Sequence, residues 1–147
     1  MFASLAKLNI SIISGNARQA ARREWEAQLL LDFTSSKAVA DQLDYAAMAQ
    51  QSTQTPAQQP KLSKFKIVRR ADEQLEILIE GPDQIGFLGG LLGKLSLLAL
   101  FPAELEINTV SNRIKDRVAL RGIGDAPPSP ATEQSLETML KGFVVAS

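Results

Sequence analysis

Between Leu75 and Val110 the hydrophobic residues change their spacing twice, and this change restricts the possible folds more than any other feature. The stretch LEILIEG, residues 75–81, is rich in leucine and isoleucine and ends at Gly-Pro, which predicts a strand. The leucines that follow lie on one face of a helix: Leu88, Leu91, Leu92, Leu95 and Leu98. Pro102 ends that helix, and AELEINTV, residues 103–110, alternates polar and apolar residues as a strand does.

The rest of the second half adds a strand and a helix. After the turn SNRIKD, residues 111–116, a strand is predicted from Arg117 to Gly122. Ser129 is placed to cap a last helix that Pro130 opens. The apolar residues of that helix have helical spacing: Leu136, Met139, Leu140 and Phe143. With VVAS as a short final strand, the second half is predicted to be βαββα plus that strand.

The first half has a similar order of elements. Residues 25–33 alternate apolar with mostly polar side chains, which predicts a half-buried strand although the composition favours a helix. Isoleucines at positions 10, 12 and 13 predict another strand, and residues 2–8 before it have helical spacing. A further helix is predicted after Ser35 or Ser36. One face of that helix is apolar: Val39, Ala40, Leu43 and Ala47.

A polar segment without charge separates the two halves. QQSTQTPAQQP, residues 50–60, is rich in glutamine and contains two prolines, which is typical of an exposed connection. We place the linker at about residues 50–62, and FKIVRR, residues 65–70, predicts a strand after it. The first half is then αββα plus a strand. Residues 1–70 and 71–147 are therefore predicted to be two copies of one unit, and the first copy lacks its initial strand.

The composition excludes several classes of site. The 147 residues contain 16 Lys and Arg and 16 Asp and Glu, so the formal net charge is zero and no overall field draws the chain to nucleic acid or to an anionic membrane. Cysteine and histidine are absent, which removes disulfides, Cys-ligated zinc and the commonest general base. We expect a globular protein that is not an enzyme and holds no cofactor or metal. The sequence has no recognisable export signal, so a cytoplasmic location is expected.

The stretch GPDQIGFLGGLLGKL, residues 81–95, has three interpretations. A membrane span needs about 20 apolar residues, and the apolar run at residues 87–101 is shorter. A phosphate-binding loop of this kind would end in Gly-Lys-Ser or Gly-Lys-Thr, which this stretch does not. The third interpretation is a turn and helix that hold a small ligand or a partner. The glycines at 89, 90 and 93 then predict that something large packs against that face of the helix.

The same stretch resembles the signature of the ACT domain, an acid, a variable pair and a glycine between a strand and a helix. The matching residues are Asp83, Gln84, Ile85 and Gly86, followed by Phe87 and Leu88. The resemblance covers Leu75 to Val145 and, more weakly, Phe2 to Arg70, and Ile85 stands where proline is common in the family. It implies an α+β fold with two tandem ferredoxin-like βαββαβ ACT sandwiches, the first lacking its first strand. Such tandem copies are similar to the regulatory tails of nitrogen-control uridylyltransferases and to stand-alone regulators of glycine metabolism.

The resemblance also implies a site, because ACT domains commonly bind an amino acid at this turn, across an interface with another copy. The implied ligand-binding residues are Asp83, Gln84, Ile85, Gly86, Phe87, Leu88 and Asn108. Backbone N–H groups of residues 85–87 at the helix N-terminus would hold the ligand carboxylate. Asp83 would meet its ammonium group, and Asn108 would offer an amide. A simpler interpretation makes Asp83 the N-cap of the helix and Gly86 a tight-turn residue.

The missing strand would lie centrally in the ferredoxin-like sheet of the first copy. Without it, the neighbouring strands would expose unpaired backbone N–H and C=O groups. The sequence leaves three sources for a strand in this place. They are FKIVRR in a hairpin with LEILIEG across residues 71–74, a strand from a second chain, or residues upstream.

Two charged clusters have ordinary structural explanations. Glu104 and Glu106 share a strand face and could hold a divalent cation together with another acid. Arg117 and Arg121 on the next strand are the more expected partners, since cross-strand charge pairs are common. Basic residues also gather in the two hairpins, at positions 18, 22, 23, 113, 115 and 117. They lack aromatic neighbours for base stacking apart from Trp25, so no nucleic-acid partner is expected.

These features predict a non-catalytic regulatory module. It senses a small amino-acid-like ligand at the turn of the second repeat and signals through oligomerisation or contact with a regulated enzyme. The alternative is a ligand-free module that dimerises or docks onto an enzyme through its sheet edges and its glycine face. In both cases a homodimer or higher oligomer is expected, with no membrane partner.

Overall fold

The computed structural model describes residues 11–21, 24–32, 59–84 and 86–145. The strands are β1 (Ser11–Ala21), β2 (Glu24–Asp32), β3 (Lys64–Arg69), β4 (Leu75–Pro82), β5 (Phe101–Val110) and β6 (Arg113–Arg121). The helices are α1 (Phe87–Ser96) and α2 (Pro130–Phe143), and a 3₁₀ turn spans Ile123–Asp125. The helices predicted at residues 2–8 and after Ser36, and most of the predicted linker, lie outside the described residues.

All six strands form one antiparallel sheet in the order β2-β1-β5-β6-β4-β3. The chain is therefore an α+β protein, as predicted. Two hairpins, β1–β2 and β5–β6, are joined edge to edge because β1 pairs with β5, with Ser14 opposite Asn108 and Arg18 opposite Glu104. A single sheet thus runs through both halves of the chain.

The apolar residues of both helices and of one sheet face form a single buried cluster. The alternation in β4 explains this arrangement: Leu75, Ile77 and Ile79 are fully buried, whereas Glu76 and Glu80 lie on the other face. Each such leucine or isoleucine stabilises the fold by about 1.5–3 kcal/mol relative to an exposed side chain. The other cluster members lie on β1, α1, α2, β5, β6, the segment before β3 and the segment between α1 and β5: Ala17, Leu62, Phe87, Leu88, Leu91, Leu95, Leu100, Leu105, Ile107, Ile114, Val118, Leu120, Leu136, Leu140 and Phe143. The opposite face of the sheet, which we call the open face, is mostly charged.

One of the three sources considered for the missing strand was a hairpin between FKIVRR and LEILIEG, and β3 forms that hairpin with β4. It pairs antiparallel with β4, from Lys64 opposite Glu80 to Arg69 opposite Leu75. This is the hairpin across residues 71–74. However, β3 lies at one edge of the sheet and β2 lies at the other, so β3 does not supply a neighbour for β2.

The last described residues meet the segment that precedes β3. Val144 forms an isolated parallel bridge with Leu62, and the Val145 N–H donates to the Leu62 carbonyl at 3.0 Å. Of the predicted final strand, Val144 and Val145 are described, and Val144 forms this one bridge. Leu62 is fully buried, so the end of the predicted linker is packed into the core, because burial removes the apolar side chain from water.

The strand β2 is present as predicted but is more exposed than the prediction of a half-buried strand. Trp25 is 42% exposed and Leu30 57%, and Ala27 is also exposed, while Leu29 and Leu31 are half-buried. The described helices pack near the centre of the sheet, so they do not cover the outer part of β2.

The two helices begin in different ways. Ser129 caps α2, since its hydroxyl accepts the Thr132 N–H at 3.1 Å, and Pro130 occupies the first turn, both as predicted. Helix α1 has Gly86 at its N-cap and no side-chain cap. Neither helix, nor any other helical segment of the described residues, is both long and apolar enough to cross a membrane.

Candidate functional site

The predicted ligand turn is a tight connection between β4 and α1 in which a glycine sets the backbone. Gly86 has φ 80°, a left-handed conformation that L residues rarely adopt. The Phe87 N–H donates to the Gln84 carbonyl at 3.1 Å, and the Gly90 N–H donates to the Gly86 carbonyl at 2.9 Å. Of the three N–H groups expected to hold a ligand carboxylate, that of Phe87 is thus used within the turn. Ile85 lies outside the described residues.

The Gln84 side chain fastens the turn to the segment before β3. Its Nε2 donates to the Lys61 carbonyl at 2.9 Å, and its Oε1 accepts the Lys61 N–H at 3.2 Å. The Gln84 amide thus donates one bond to the Lys61 backbone and accepts one from it, as a residue of a neighbouring strand does. Gly81 lies beside the same segment, and a Cβ atom there would approach the Lys61 carbonyl oxygen to 2.9 Å. The Gln84 amide is therefore committed to the fold.

Asp83 is exposed and does not cap α1, contrary to the simpler interpretation of its role. Its backbone N–H donates to the Asn112 carbonyl at 2.9 Å. Partial burial and the neighbouring Asp32 carboxylate raise the pKa of Asp83, while a hydrogen bond from the Gln84 backbone N–H opposes the rise. The N-cap position belongs to Gly86, whose role as a tight-turn residue is confirmed.

The other predicted site residues point elsewhere. Phe87 and Leu88 are buried members of the core, so their side chains contribute packing. Asn108 alternates with the buried residues Leu105 and Ile107 along β5 and therefore lies on the open face, on the other side of the sheet from α1. The structure thus brings Asp83, Gln84 and Gly86 together in one turn and places Asn108 apart from them.

A buried carboxylate lies near this turn that the sequence analysis did not single out. Asp116 of β6 is only 4% exposed and accepts the Asn108 backbone N–H at 3.0 Å. Burial raises the pKa of Asp116 to about 6, the hydrogen bond from Asn108 opposes this, and the charge of Asp83 adds to it. The sequence contained a signal for this burial. Asp116 is two residues away from the core residues Ile114 and Val118, so its side chain lies on the same face of β6 as theirs.

The acids Glu104 and Glu106 are paired with arginine on the open face, as expected. Arg117 contacts Glu106 at 3.1 Å, Glu104 at 3.6 Å and Glu76 at 3.0 Å. The prediction for Arg121 was wrong, because it pairs with Asp125 at 2.9 Å, four residues away in the chain. Among the described residues no three acids form a group that could hold a metal ion.

Two shallow pockets lie on the open face. The larger, of about 780 Å³, is formed by β1, β2 and β5 around Gly15, with Glu104, Glu106 and Arg117 at its border. The smaller, of about 490 Å³, lies over β3, β4 and β6. We call the smaller pocket the cationic cup and define it by Lys64, Lys66, Leu78, Lys115 and Arg117. Its lining also includes the acids Glu80, Glu106 and Asp116, and Asn108. Lys64, Lys66 and Leu78 were not predicted as site residues; the alternation of KFKIVR was the available signal for the two lysines.

The two edges of the sheet differ in how well they are protected against the addition of another strand. At the β3 edge, Lys64 and Lys66 are exposed, and Arg69 is bonded to the Pro128 carbonyl and to Glu133 of α2. Charged edge residues and a covering helix both oppose the addition of a further strand. Within the described residues β2 pairs only with β1 and contains no lysine, arginine or proline. The β2 edge is the one suited to another strand.

The face of α1 that carries its glycines is uncovered at Gly93. A Cβ atom built at Gly93 would have no heavy atom within 4 Å. None of the described residues therefore packs against the helix at Gly93. The expectation that the other repeat or a second chain lies against this face stays a prediction.

Comparisons with protein-family models, with curated proteins and with solved structures found no match to this chain. The turn, the cationic cup and the β2 edge are the features from which a function can be inferred.

Proposed function

We propose that this chain is a non-catalytic interaction module of two tandem ferredoxin-like, ACT-like units that associates with a second copy through the edge of β2. The strand order β5-β6-β4-β3 supports the ferredoxin-like arrangement of the second unit, with β3 beside β4. The observation that carries the proposal is the position of β2. Its counterpart in the repeat, β6, has β4 on its outer side, whereas β2 pairs only with β1 among the described residues.

The composition of β2 suits self-pairing. An antiparallel pair of β2 strands centred on Gln28 would place Trp25 opposite Leu31 and Ala27 opposite Leu29, all on one face. Aromatic–aliphatic cross-strand pairs stabilise a sheet by roughly 0.2–1 kcal/mol each. Such a pairing is isologous, as two-fold dimers require. It removes the exposed backbone groups of β2 from water by bonding them to the partner strand.

The same register places Glu24 opposite Asp32, and these like charges oppose association. Salt screens exposed charges over about 8 Å at physiological ionic strength. Association should therefore strengthen as salt is added, which distinguishes this pairing from one held by ion pairs.

Sedimentation velocity at several concentrations, with hydrogen exchange, tests the proposal. We expect a dimer whose fraction increases with concentration and with salt, and amides in β2 whose protection increases in parallel. Ala27→Lys, which puts two lysines into the apolar row, should weaken the dimer about tenfold or more. Val68→Lys on the opposite edge is the matched control and should leave the dimer unchanged. A monomer at every concentration, or a dimer insensitive to Ala27→Lys, contradicts the proposal.

The turn at residues 83–88 is a second candidate, as a sensor of an amino-acid-like ligand in the manner of ACT domains. The left-handed Gly86 and the helix start without a side-chain cap favour it. The test is a thermal-shift screen against the twenty amino acids. A ligand at about 100 times its dissociation constant adds roughly 2.7 kcal/mol to stability. A shift with one or two amino acids that Gly86→Val abolishes supports the sensor; a shift that survives this substitution places the ligand elsewhere.

A further inference from the structure

The cationic cup has no role in the proposed dimer, yet the sheet groups its side chains in two regular rows. The register of the sheet places Lys66, Leu78 and Arg117 side by side across three strands, and Lys64, Glu80 and Lys115 in the adjacent row. Directly opposed residues of neighbouring strands share a face. The six side chains therefore surround one patch of the open face, and Leu78, at its centre, is 38% exposed.

The cup is lined by the cations Lys64, Lys66, Lys115 and Arg117 and by the acids Glu80, Glu106 and Asp116, of which Asp116 is only 4% exposed. Glu80 is shared by Lys64 at 3.2 Å and Lys115 at 3.8 Å. Lys66 is exposed and has no ion pair or hydrogen bond with any residue that the structure describes. In a chain with a formal net charge of zero, the ammonium group of Lys66 is therefore a positive charge without a described partner, and it attracts anions to this place on the surface.

The remaining cation, Arg117, is held in position. Its Nε and Nη1 atoms donate to Glu106 at 3.1 Å and to Glu76 at 3.0 Å. Arg117 therefore forms a fixed wall of the cup, whereas the ammonium group of Lys66 is available to a ligand. The Asn108 side-chain amide, which also lines the cup, has no hydrogen bond with the described residues.

We propose that the cationic cup binds a small carboxylate with an aliphatic or aromatic body. The carboxylate would contact the Lys66 ammonium group, Asn108 would add a hydrogen bond, and the apolar body would cover Leu78. The volume of about 490 Å³ falls within the range of about 300–1,000 Å³ that is typical of small-molecule sites. This site lies on the opposite side of the sheet from the turn at residues 83–88 and away from the β2 edge.

A titration of the full chain with phenylacetate, followed by backbone amide NMR, tests this inference. We expect saturable shifts at residues 64–66, 78 and 115–117, and none that saturate at residues 83–90. Acetate, which lacks the apolar body, should bind about tenfold or more weakly. Benzylamine, which has the same ring and the opposite charge, should not bind in the cup. Binding of inorganic phosphate as tight as that of phenylacetate overturns the proposal, because charge alone would then account for it.

Two lysine variants identify the contact. Lys66→Gln should weaken phenylacetate binding about three- to fivefold, as expected for an exposed charge contact. Lys94→Gln, the same change on α1 behind the sheet, should alter it less than about twofold. Both lysines lie outside the buried core, so both variants should unfold at the wild-type temperature, and this is measured first. Equal effects of the two substitutions, or no effect of Lys66→Gln, overturn the assignment.

Discussion

A carboxylate on the core side of a sheet is unfavourable when it is ionised, and Asp116 occupies such a position. Among the described residues it accepts one hydrogen bond, from the Asn108 N–H, and the negative charge of Asp83 raises its pKa further. Burial without a cationic partner favours the protonated form of an acid. At the residue scale, the consequence is a free energy of unfolding that depends on pH.

The pKa of Asp116 in the folded chain is about 6, above its ordinary value of 3.8. Between these values the folded state binds more protons than the unfolded state, so stability decreases as pH rises from about 4 to about 6. Asp116→Asn still accepts the Asn108 N–H and cannot ionise. It should flatten the dependence in this window and stabilise the chain at pH 8 by about 2–3 kcal/mol.

Urea unfolding from pH 4 to pH 8 checks the Asp116 prediction. The control, Glu73→Gln, changes an acid in the exposed hairpin turn between β3 and β4 whose side chain has no partner among the described residues, and it should leave the slope unchanged. Parallel curves for wild type and Asp116→Asn would show that the carboxyl group is solvated in the folded chain.

Two glycines in the same segment should respond oppositely to alanine. Gly86 has φ 80°, and a side chain in the left-handed region costs about 1–2 kcal/mol. Gly93 lies inside α1, and outside that helix no heavy atom of the described residues would lie within 4 Å of a Cβ there. Glycine at this position is about 0.5–1 kcal/mol less favourable than alanine. Chemical denaturation should show Gly86→Ala destabilised and Gly93→Ala stabilised. A destabilised Gly93→Ala would indicate that another chain packs on that face.

At the element scale, α1 and α2 are determined by different parts of the molecule. Helix α2 has its start signals in its own sequence: a serine cap, a proline in the first turn and Glu133 near its N-terminus. Helix α1 has no side-chain cap and contains three glycines, at positions 89, 90 and 93. Its stability comes from burial of Phe87, Leu88, Leu91 and Leu95 against the sheet.

The cap of α2 can be tested with two serines. Ser129→Ala removes the hydroxyl that accepts the Thr132 N–H at 3.1 Å and should lower the free energy of unfolding by about 1 kcal/mol. Ser135→Ala, at an exposed position within α2, should change it by less than about 0.5 kcal/mol. Equilibrium urea unfolding measures both. Equal effects would mean that the N-terminus of α2 is held by tertiary contacts instead of its cap.

At the scale of the whole molecule, the decisive feature is the seam between β1 and β5. Ala17 of β1 is buried beside Leu105 of β5, its partner in the register. Small side chains at this position let the core continue from the helix-covered part of the sheet to the β1–β2 hairpin. The seam therefore links the two halves of the chain.

A charge in this seam should separate the halves. Ala17→Glu buries an unpaired carboxylate and should destabilise the chain by 2 kcal/mol or more, as a rough figure for such burial. Hydrogen exchange should show β1 and β2 losing protection while β4 and α2 retain it. Ala20→Glu, an identical change at an exposed position of β1, is the control and should have little effect. Uniform loss of protection in Ala17→Glu would show that the sheet unfolds as one unit.

Several elements were predictable because their signals are local. The run of leucine and isoleucine before Gly-Pro predicted β4, and the alternation of residues 103–110 predicted β5. Ser129 and Pro130 predicted the start of α2. The cross-strand pair of Glu106 and Arg117 followed from their positions on adjacent strands. The pairing of Arg121 was not predictable, because the backbone turn at Ile123–Asp125 brings Asp125 within 2.9 Å of it.

The candidate site also has features that were predictable from the sequence and features that were not. The left-handed glycine at position 86 was predictable, since a short strand-to-helix turn needs such a conformation. The commitment of the Gln84 amide to Lys61 was not, because the two residues lie 23 positions apart. Asn108 was assigned to the turn by resemblance, but the parity of β5 places its side chain on the open face.

The sequence by itself determined the kinds of elements and which of their faces are apolar, because hydrophobic period, caps and turn residues act over a few positions. Only the tertiary structure decided the order of the strands. That order depends on pairings between distant residues, such as Ser14 with Asn108 and Lys64 with Glu80. These pairings place β3 at one edge and β2 at the other, and they bring lysines from β3 and β6 together around Leu78.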